Sequence, residues 1–309
     1  MTLSRRAFSS AALLGGFALA VPASNAQAQP MPLQSRIKLA ISTYSYWHFA
    51  EVKYPIEKVI DHAADFGVEG VDILHRQMES EDNAYLQKVK RHAFLNGIDL
   101  ISLSIHQDFV DPDKEKLKEH IEHTKHCIEL ANAMGIPSIR LNSGRWGTVQ
   151  SFDELMERRG IEPALEGYTE EDAFEWCIGC IEECLPTAEK NGVMLLIENH
   201  WGLTRNPEGV LRIRKAIDSP FMGVMMDTGN FLEDPYEKLQ MMAPHTNMVQ
   251  AKTYYGGGEW YSLDLDYGRI ATILKEAQFR GYVSLEFEGK AAPDEGVRQS
   301  LELFRSTFI

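Results

Sequence analysis

The sequence is short of positive charge. Its 31 Lys and Arg face 45 Asp and Glu, giving a formal net charge of −14 at pH 7. Nucleic-acid binding leans on basic patches, so a DNA or RNA partner is not expected. Cysteine is scarce too, with only Cys127, Cys177, Cys180 and Cys184. The last three share one helical face in "EWCIGCIEECL", and no Cys/His pair at matching spacing completes a tetrahedral zinc site around them. They read as small buried hydrophobes. Glycine is missing from "STYSYWHFAEVKYP", which follows the first strand pattern. That absence removes the Gly-rich phosphate loop of a doubly wound, two-lobed sheet.

What is present begins with an export signal. Arg5-Arg6, a Phe two residues later, an apolar stretch from Ala11 to Val21 and the small-residue close Ala26-Gln27-Ala28 form a twin-arginine pattern over residues 1–28. The stretch is short for a membrane span, so no stable membrane insertion is expected after cleavage. The implied location is periplasmic, or otherwise outside the cytosol. Phosphorylated metabolites are largely cytosolic, so an uncharged substrate suits that location better.

From residue 37 to 309, short β-type runs alternate with helical patterns. Strands are expected at 37–43, 68–74, 98–106, 137–144, 193–200, 222–230, 247–255 and 282–289, each followed by a helical pattern. Alternation implies parallel pairing, and eight such units in about 250 residues suit a single (β/α)8 barrel. The interval 143–170 is long for a βα connection and follows strand 4, so it is expected to cover the site end of the barrel.

Polar residues gather where these strands end. Strand 3 ends in His106, strand 4 carries Arg140, strand 5 ends in Glu198-Asn199-His200, and strand 6 ends in Asp227. Strand 7 carries Gln250 and Lys252, and strand 8 carries Glu286 and Glu288. Residues two apart on a strand face one way, so 198/200, 250/252 and 286/288 point together. Three carboxylates in one mouth repel unless compensated, and a divalent cation is the simplest compensation. Glu198, Asp227, Gln250 and Glu286 offer oxygen ligands from four successive strands. Such a set suits Mn²⁺ first, or Mg²⁺, over Zn²⁺.

The segments "LLIENHWG", "GVMMDTGNF", "VQAKTYY" and "YVSLEFEG" resemble the xylose isomerase-like TIM barrels, the sugar (phosphate) isomerases and epimerases, from about residue 37 onward. The resemblance implies a metal held by Glu198, Asp227 and Glu286. Gln250 stands where the family usually has His. It also implies a sugar isomerase or epimerase that abstracts a proton next to a carbonyl through an ene-diolate. Glu198 and Glu286 would exchange protons, with His200 as acid–base partner. His106, Arg140, Lys252 and Trp201 would contact the sugar. Endonuclease IV shares this fold but needs a His-rich zinc cluster and a basic surface, and this chain shows neither at the matching strands.

Two other readings use the same residues. Loss of a β-leaving group from the ene-diolate would make the protein a lyase or dehydratase on a 3-keto-glycoside or keto-sugar. A non-catalytic carbohydrate-binding barrel is the reading from another class, supported by Trp47, Trp146, Trp201, Trp260, Tyr44, Tyr46, Tyr254 and Tyr255. A homo-oligomer is compatible with any of the three.

Overall fold

The computed structural model describes residues 36–309, and the expected export signal lies outside the described residues. Strands β1 (Ile37–Ser42), β2 (Gly70–Leu74), β3 (Asp99–Ser104), β4 (Ser138–Leu141), β5 (Met194–Glu198), β6 (Met222–Asp227), β7 (Thr246–Thr253) and β8 (Gly281–Phe287) form a closed barrel in sequence order. Every neighbouring pair is parallel. The barrel closes where β8 pairs with β1, from Ile37↔Gly281 to Ile41↔Leu285. This is the (β/α)8 barrel expected from the alternation.

The outer layer comprises α1 (Ile56–Asp65), α2 (Asn83–Asn96), α3 (Lys114–Met134), α5 (Glu170–Asn191), α6 (Pro207–Ala216), α7 (Pro235–Met242), α8 (Tyr267–Glu276) and α9 (Pro293–Phe308). A short α4 (Phe152–Glu157) lies inside the long interval after β4, where no helix was expected. The interval is fastened from within by the buried Glu162 carboxylate. It accepts hydrogen bonds from Arg145 (2.5 Å) and the Val149 amide (3.0 Å). At the far end, α5 opens with a capping box: the Thr169 amide donates to Asp172 (2.7 Å), and the Asp172 amide donates back to Thr169 Oγ1 (3.4 Å).

Strand parity separates packing from chemistry. Leu195 and Ile197 face outward into the main core between strands and helices. Leu196 faces inward, where it meets Ala40, Ile101, Met225 and Met248 in a separate cluster inside the barrel. Following the inward row upward turns each strand polar: Leu196 leads to Glu198, Met225 to Asp227, and Met248 to Gln250 and Lys252. An apolar floor therefore underlies a polar mouth at the strands' C-terminal ends. Truncating that floor with Leu196→Ala is expected to cost about 2–5 kcal/mol in denaturant unfolding. An unchanged unfolding midpoint would contradict its place in the packing.

Candidate active site

The mouth encloses a cavity of about 320 Å³. It is lined by all four oxygen donors named from the sequence, Glu198, Asp227, Gln250 and Glu286, together with His200. His106, Arg140, Lys252 and Trp201 line it as well. Of the aromatics weighed for sugar stacking, Tyr44, Trp201 and Trp260 reach the cavity. The others pack elsewhere: Tyr46 stacks on His62, Trp146 meets Trp176 edge-on, and Trp47 joins Leu74 in a small buried cluster. Tyr254 is packed against Tyr261, and Tyr255 packs on the main core. Aromatic residues carry no positional period, so the sequence did not separate rim from core.

Asn199, the middle residue of "ENH", is a stitch. Its amide group donates to the Asp227 carbonyl (2.8 Å) and accepts from the Asp227 amide (2.7 Å), fixing the end of β5 against β6. Asn230 adds a bond to the Asn199 carbonyl (2.9 Å). The flanking residues of the triplet, Glu198 and His200, are thereby left facing the cavity.

Two buried cations divide the acids between them. Arg140 Nη1 donates to Glu198 Oε2 at 2.8 Å. Lys252 Nζ lies 3.2 Å from Glu288, 3.5 Å from Glu286 and 3.6 Å from Asp227. It also donates to Asn230 Oδ1 (2.9 Å). Burial opposes the Lys252 charge, but Asp227, Glu288, Tyr261 and Glu286 outweigh it and hold the pKa well above the ordinary lysine range. A Cβ on Gly229 would stand 2.7 Å from the Lys252 chain and 2.4 Å from the Tyr254 hydroxyl, so glycine lets the lysine pass. Neither Glu288 nor Tyr261 was assigned a role from the sequence, yet both line the cavity and engage this ammonium.

Negative charge is in excess. Asp72 adds a fifth carboxyl beneath the cavity, buried within "GVDIL" and hydrogen-bonded by Ser104 Oγ at 3.1 and 3.2 Å. Burial raises the Glu198 and Asp227 pKa values despite Arg140 and Lys252. It raises Glu288 to about 7. The imidazoles go the other way. Burial, with Arg140 and Arg76 adding to it, drives His106 down to about 2. Burial, then Arg140 and Lys252, hold His200 well below the ordinary imidazole range, away from the near-neutral value expected from residue type alone.

A hard divalent cation fits these donors. Asp227 Oδ1 accepts the Gly229 amide (2.7 Å), while its buried Oδ2 has no hydrogen-bond partner. Gln250 Oε1 is likewise buried and unpartnered. Unmet oxygen lone pairs beside surplus carboxylates are what such a cation satisfies.

An aromatic collar rims the cavity. Phe152 of α4 meets Trp260 edge-on, with centroids 5.1 Å apart, and Trp260 Nε1 donates to Tyr44 (3.1 Å). The Trp201 indole lies against Gly160, where a Cβ would come within 2.5 Å of the ring. The long interval thus supplies part of the wall through Phe152 and seats another part through Gly160.

Residues 60–307 match the family described as xylose isomerase-like TIM barrel, and the chain belongs to that family. Solved structures similar to it include D-psicose 3-epimerase with D-tagatose from Clostridium cellulolyticum H10, at 15% identity and TM-score 0.68 over 88% of this chain and 99% of that one. The 3-keto-D-glucoside 4-epimerase of E. coli aligns at 14% identity and TM-score 0.68, covering 88% of this chain and 100% of its own. A D-allulose 3-epimerase from Methylomonas sp. aligns at 13% identity and TM-score 0.67, covering 89% and 98%. At these identities the likeness is one of fold. No curated protein matches.

Asp72 offers a stability test. Burial is the main cause lifting its folded pKa to about 7, with Glu286 adding to it and Arg140 opposing. An unfolded Asp ionises near pH ~3.9, so stability should fall between about pH 4 and 7 as the unfolded carboxyl ionises and the folded one does not. Asp72→Asn removes that loss, and above pH 7 the variant should be more stable by a few kcal/mol, on the order of the linkage energy. Denaturant midpoints measured against pH check this. Parallel pH dependences in the two proteins would contradict it.

Proposed function

We propose that the chain is a divalent-metal-dependent sugar isomerase or epimerase that moves a proton next to a carbonyl of a small, uncharged sugar. The observation that carries this reading is the set of four oxygen donors on successive strands, two of them with a buried oxygen that accepts no hydrogen bond, around one cavity. Its volume lies at the small end for ligand sites and suits a monosaccharide or a short glycoside. Among the described residues lining it, both permanent cations are committed to carboxylates, which favours a substrate without phosphate. Similar folds that act on keto-sugars, the 3-epimerases and the 4-epimerase above, lend support. Action outside the cytosol, through the signal read in residues 1–28, is part of the proposal.

Glu198, Asp227, Gln250 and Glu286 would hold the cation, which when bound would polarise the carbonyl and stabilise negative charge developing on its oxygen. The chain's own residues do the rest. Glu198 on β5 and Glu286 on β8 come from well-separated strands around the mouth, which supports their acting as proton acceptors on opposite faces of a sugar held between them. Arg140 keeps Glu198 oriented through its 2.8 Å bond. The neutral rings of His106 and His200 can accept or donate hydrogen bonds to sugar hydroxyls without adding charge. The aromatic collar offers apolar ring faces to a sugar and narrows access for water.

Proton NMR in D₂O tests the proposal, using the purified chain with Mg²⁺ and a panel of free ketoses and 3-keto-glycosides. Deuterium should enter next to the carbonyl with the carbon skeleton and substituents retained. The rate should fall about 10²–10⁴-fold in Glu198→Gln, the usual range for a lost acid–base group. Release of water or an aglycone would replace this reading with a lyase. Exchange that persists unchanged in Glu198→Gln, or after a chelator strips the protein, would contradict it.

A further inference from the structure

We propose that His75, His123 and Cys127 form a zinc site on the flank of the barrel, separate from the oxygen-lined mouth. His75 opens the turn that follows β2, and His123 and Cys127 lie one helical turn apart on α3. The ligand atoms of these three residues all lie within 4.8 Å of one another, the one such group of His, Cys, Asp and Glu among the described residues. Cys127 Sγ stands 3.7 Å from His123 Nε2 and 3.9 Å from Nδ1. In a tetrahedral site with Zn–S near 2.3 Å and Zn–N near 2.0–2.1 Å, the sulfur-to-nitrogen edge is about 3.6 Å. The thiol and the ring are therefore already at ligating separation. The His75 and His123 rings are tilted at 54° rather than stacked, with centroids 5.4 Å apart.

The surroundings are those of a metal site. The Glu81 carboxylate accepts from His75 Nε2 (2.7 Å) and from His126 Nε2 (2.8 Å). Such a carboxylate fixes the tautomer and orientation of a ligating histidine, and with Nε2 engaged the nitrogen left for a metal is Nδ1. Cys127 is fully buried and stays a thiol until a cation displaces its proton to solvent, leaving the thiolate as ligand. Three protein ligands leave a fourth position. It can open toward a cavity of about 560 Å³ lined by His75 and His123, whose wall includes His106. His106 also lines the cavity at the mouth, so the zinc would brace the turn after β2 and α3 beside the substrate wall.

Donor chemistry separates the two centres. One thiolate and two imidazoles select Zn²⁺, whereas carboxylate and amide oxygens suit Mn²⁺ or Mg²⁺. The signal was present in the sequence as "HIEHTKHC", which sets His123 and Cys127 at i and i+4, but the third ligand comes from a turn 48 residues upstream of His123.

Co²⁺, a visible stand-in for Zn²⁺, tests the site in the full, reduced chain after chelator treatment. One equivalent should produce a sulfur-to-cobalt charge-transfer band that added Zn²⁺ erases. The band should be lost in Cys127→Ser and in His75→Gln, and retained in Asp227→Asn, where the mouth is altered. Glu81→Gln should keep the band with affinity reduced about 10–100-fold, the usual effect of an outer partner. His75 lies in a turn and is partly exposed, so His75→Gln answers the question even if Cys127→Ser fails to fold. Absence of the band in the parent protein would show Cys127 as core packing only and overturn the proposal. So would a band that survives both Cys127→Ser and His75→Gln, which would belong to Cys177, Cys180 or Cys184.

Discussion

The Lys252 ammonium stands among Asp227, Glu286 and Glu288, and the arrangement of the mouth depends on that sharing. A buried lysine is costly, and so is each buried acid, but each lowers the cost of the others. One positive charge cannot balance three negative ones. Arg140 is already committed to Glu198, and Asp72 adds another carboxyl below. The result is a buried mouth with surplus acid, in which burial raises the Glu198, Asp227 and Glu288 pKa values and lowers those of His106 and His200. The Asp227 and Gln250 oxygens that accept no hydrogen bond belong to the same imbalance. The divalent cation proposed for this mouth would balance the charge and satisfy the unmet hydrogen-bonding capacity together.

The barrel makes that imbalance tolerable by separating the groups that pack from those that react. Parity sends Leu195 and Ile197 outward and Leu196 and Glu198 inward, so one five-residue strand serves the core, the floor and the site. Asn199 then ties β5 to β6 beside Asp227. Gly229 clears a path for the Lys252 chain. Stability invested in the floor and the stitch supports a mouth that is electrostatically strained.

This division explains what could be read from the sequence. Period-two alternation and the strand–helix rhythm are local, and they were enough for the barrel and for the inward direction of residues 198, 200, 250, 252 and 286. Charge sharing is not local. Lys252 was legible as a cavity residue, but the sharing of its ammonium by acids from β6 and from β8 and its end was not, because only the closed barrel places them around it. Asp72 was hidden because a single acid within "GVDIL" looks no different from an edge residue. His75 escaped notice for the same reason as the charge network, since its partners lie on another element. The six-residue α4 is too short to establish a period of its own.

The most direct test of the central claim is Mn²⁺ binding followed by electron paramagnetic resonance, which registers the free aqua ion. The account predicts tight binding at the mouth of the parent chain that is lost in Asp227→Asn, with protons released as the raised carboxyls ionise. Equal Mn²⁺ binding by the two proteins, or none by either, would contradict it.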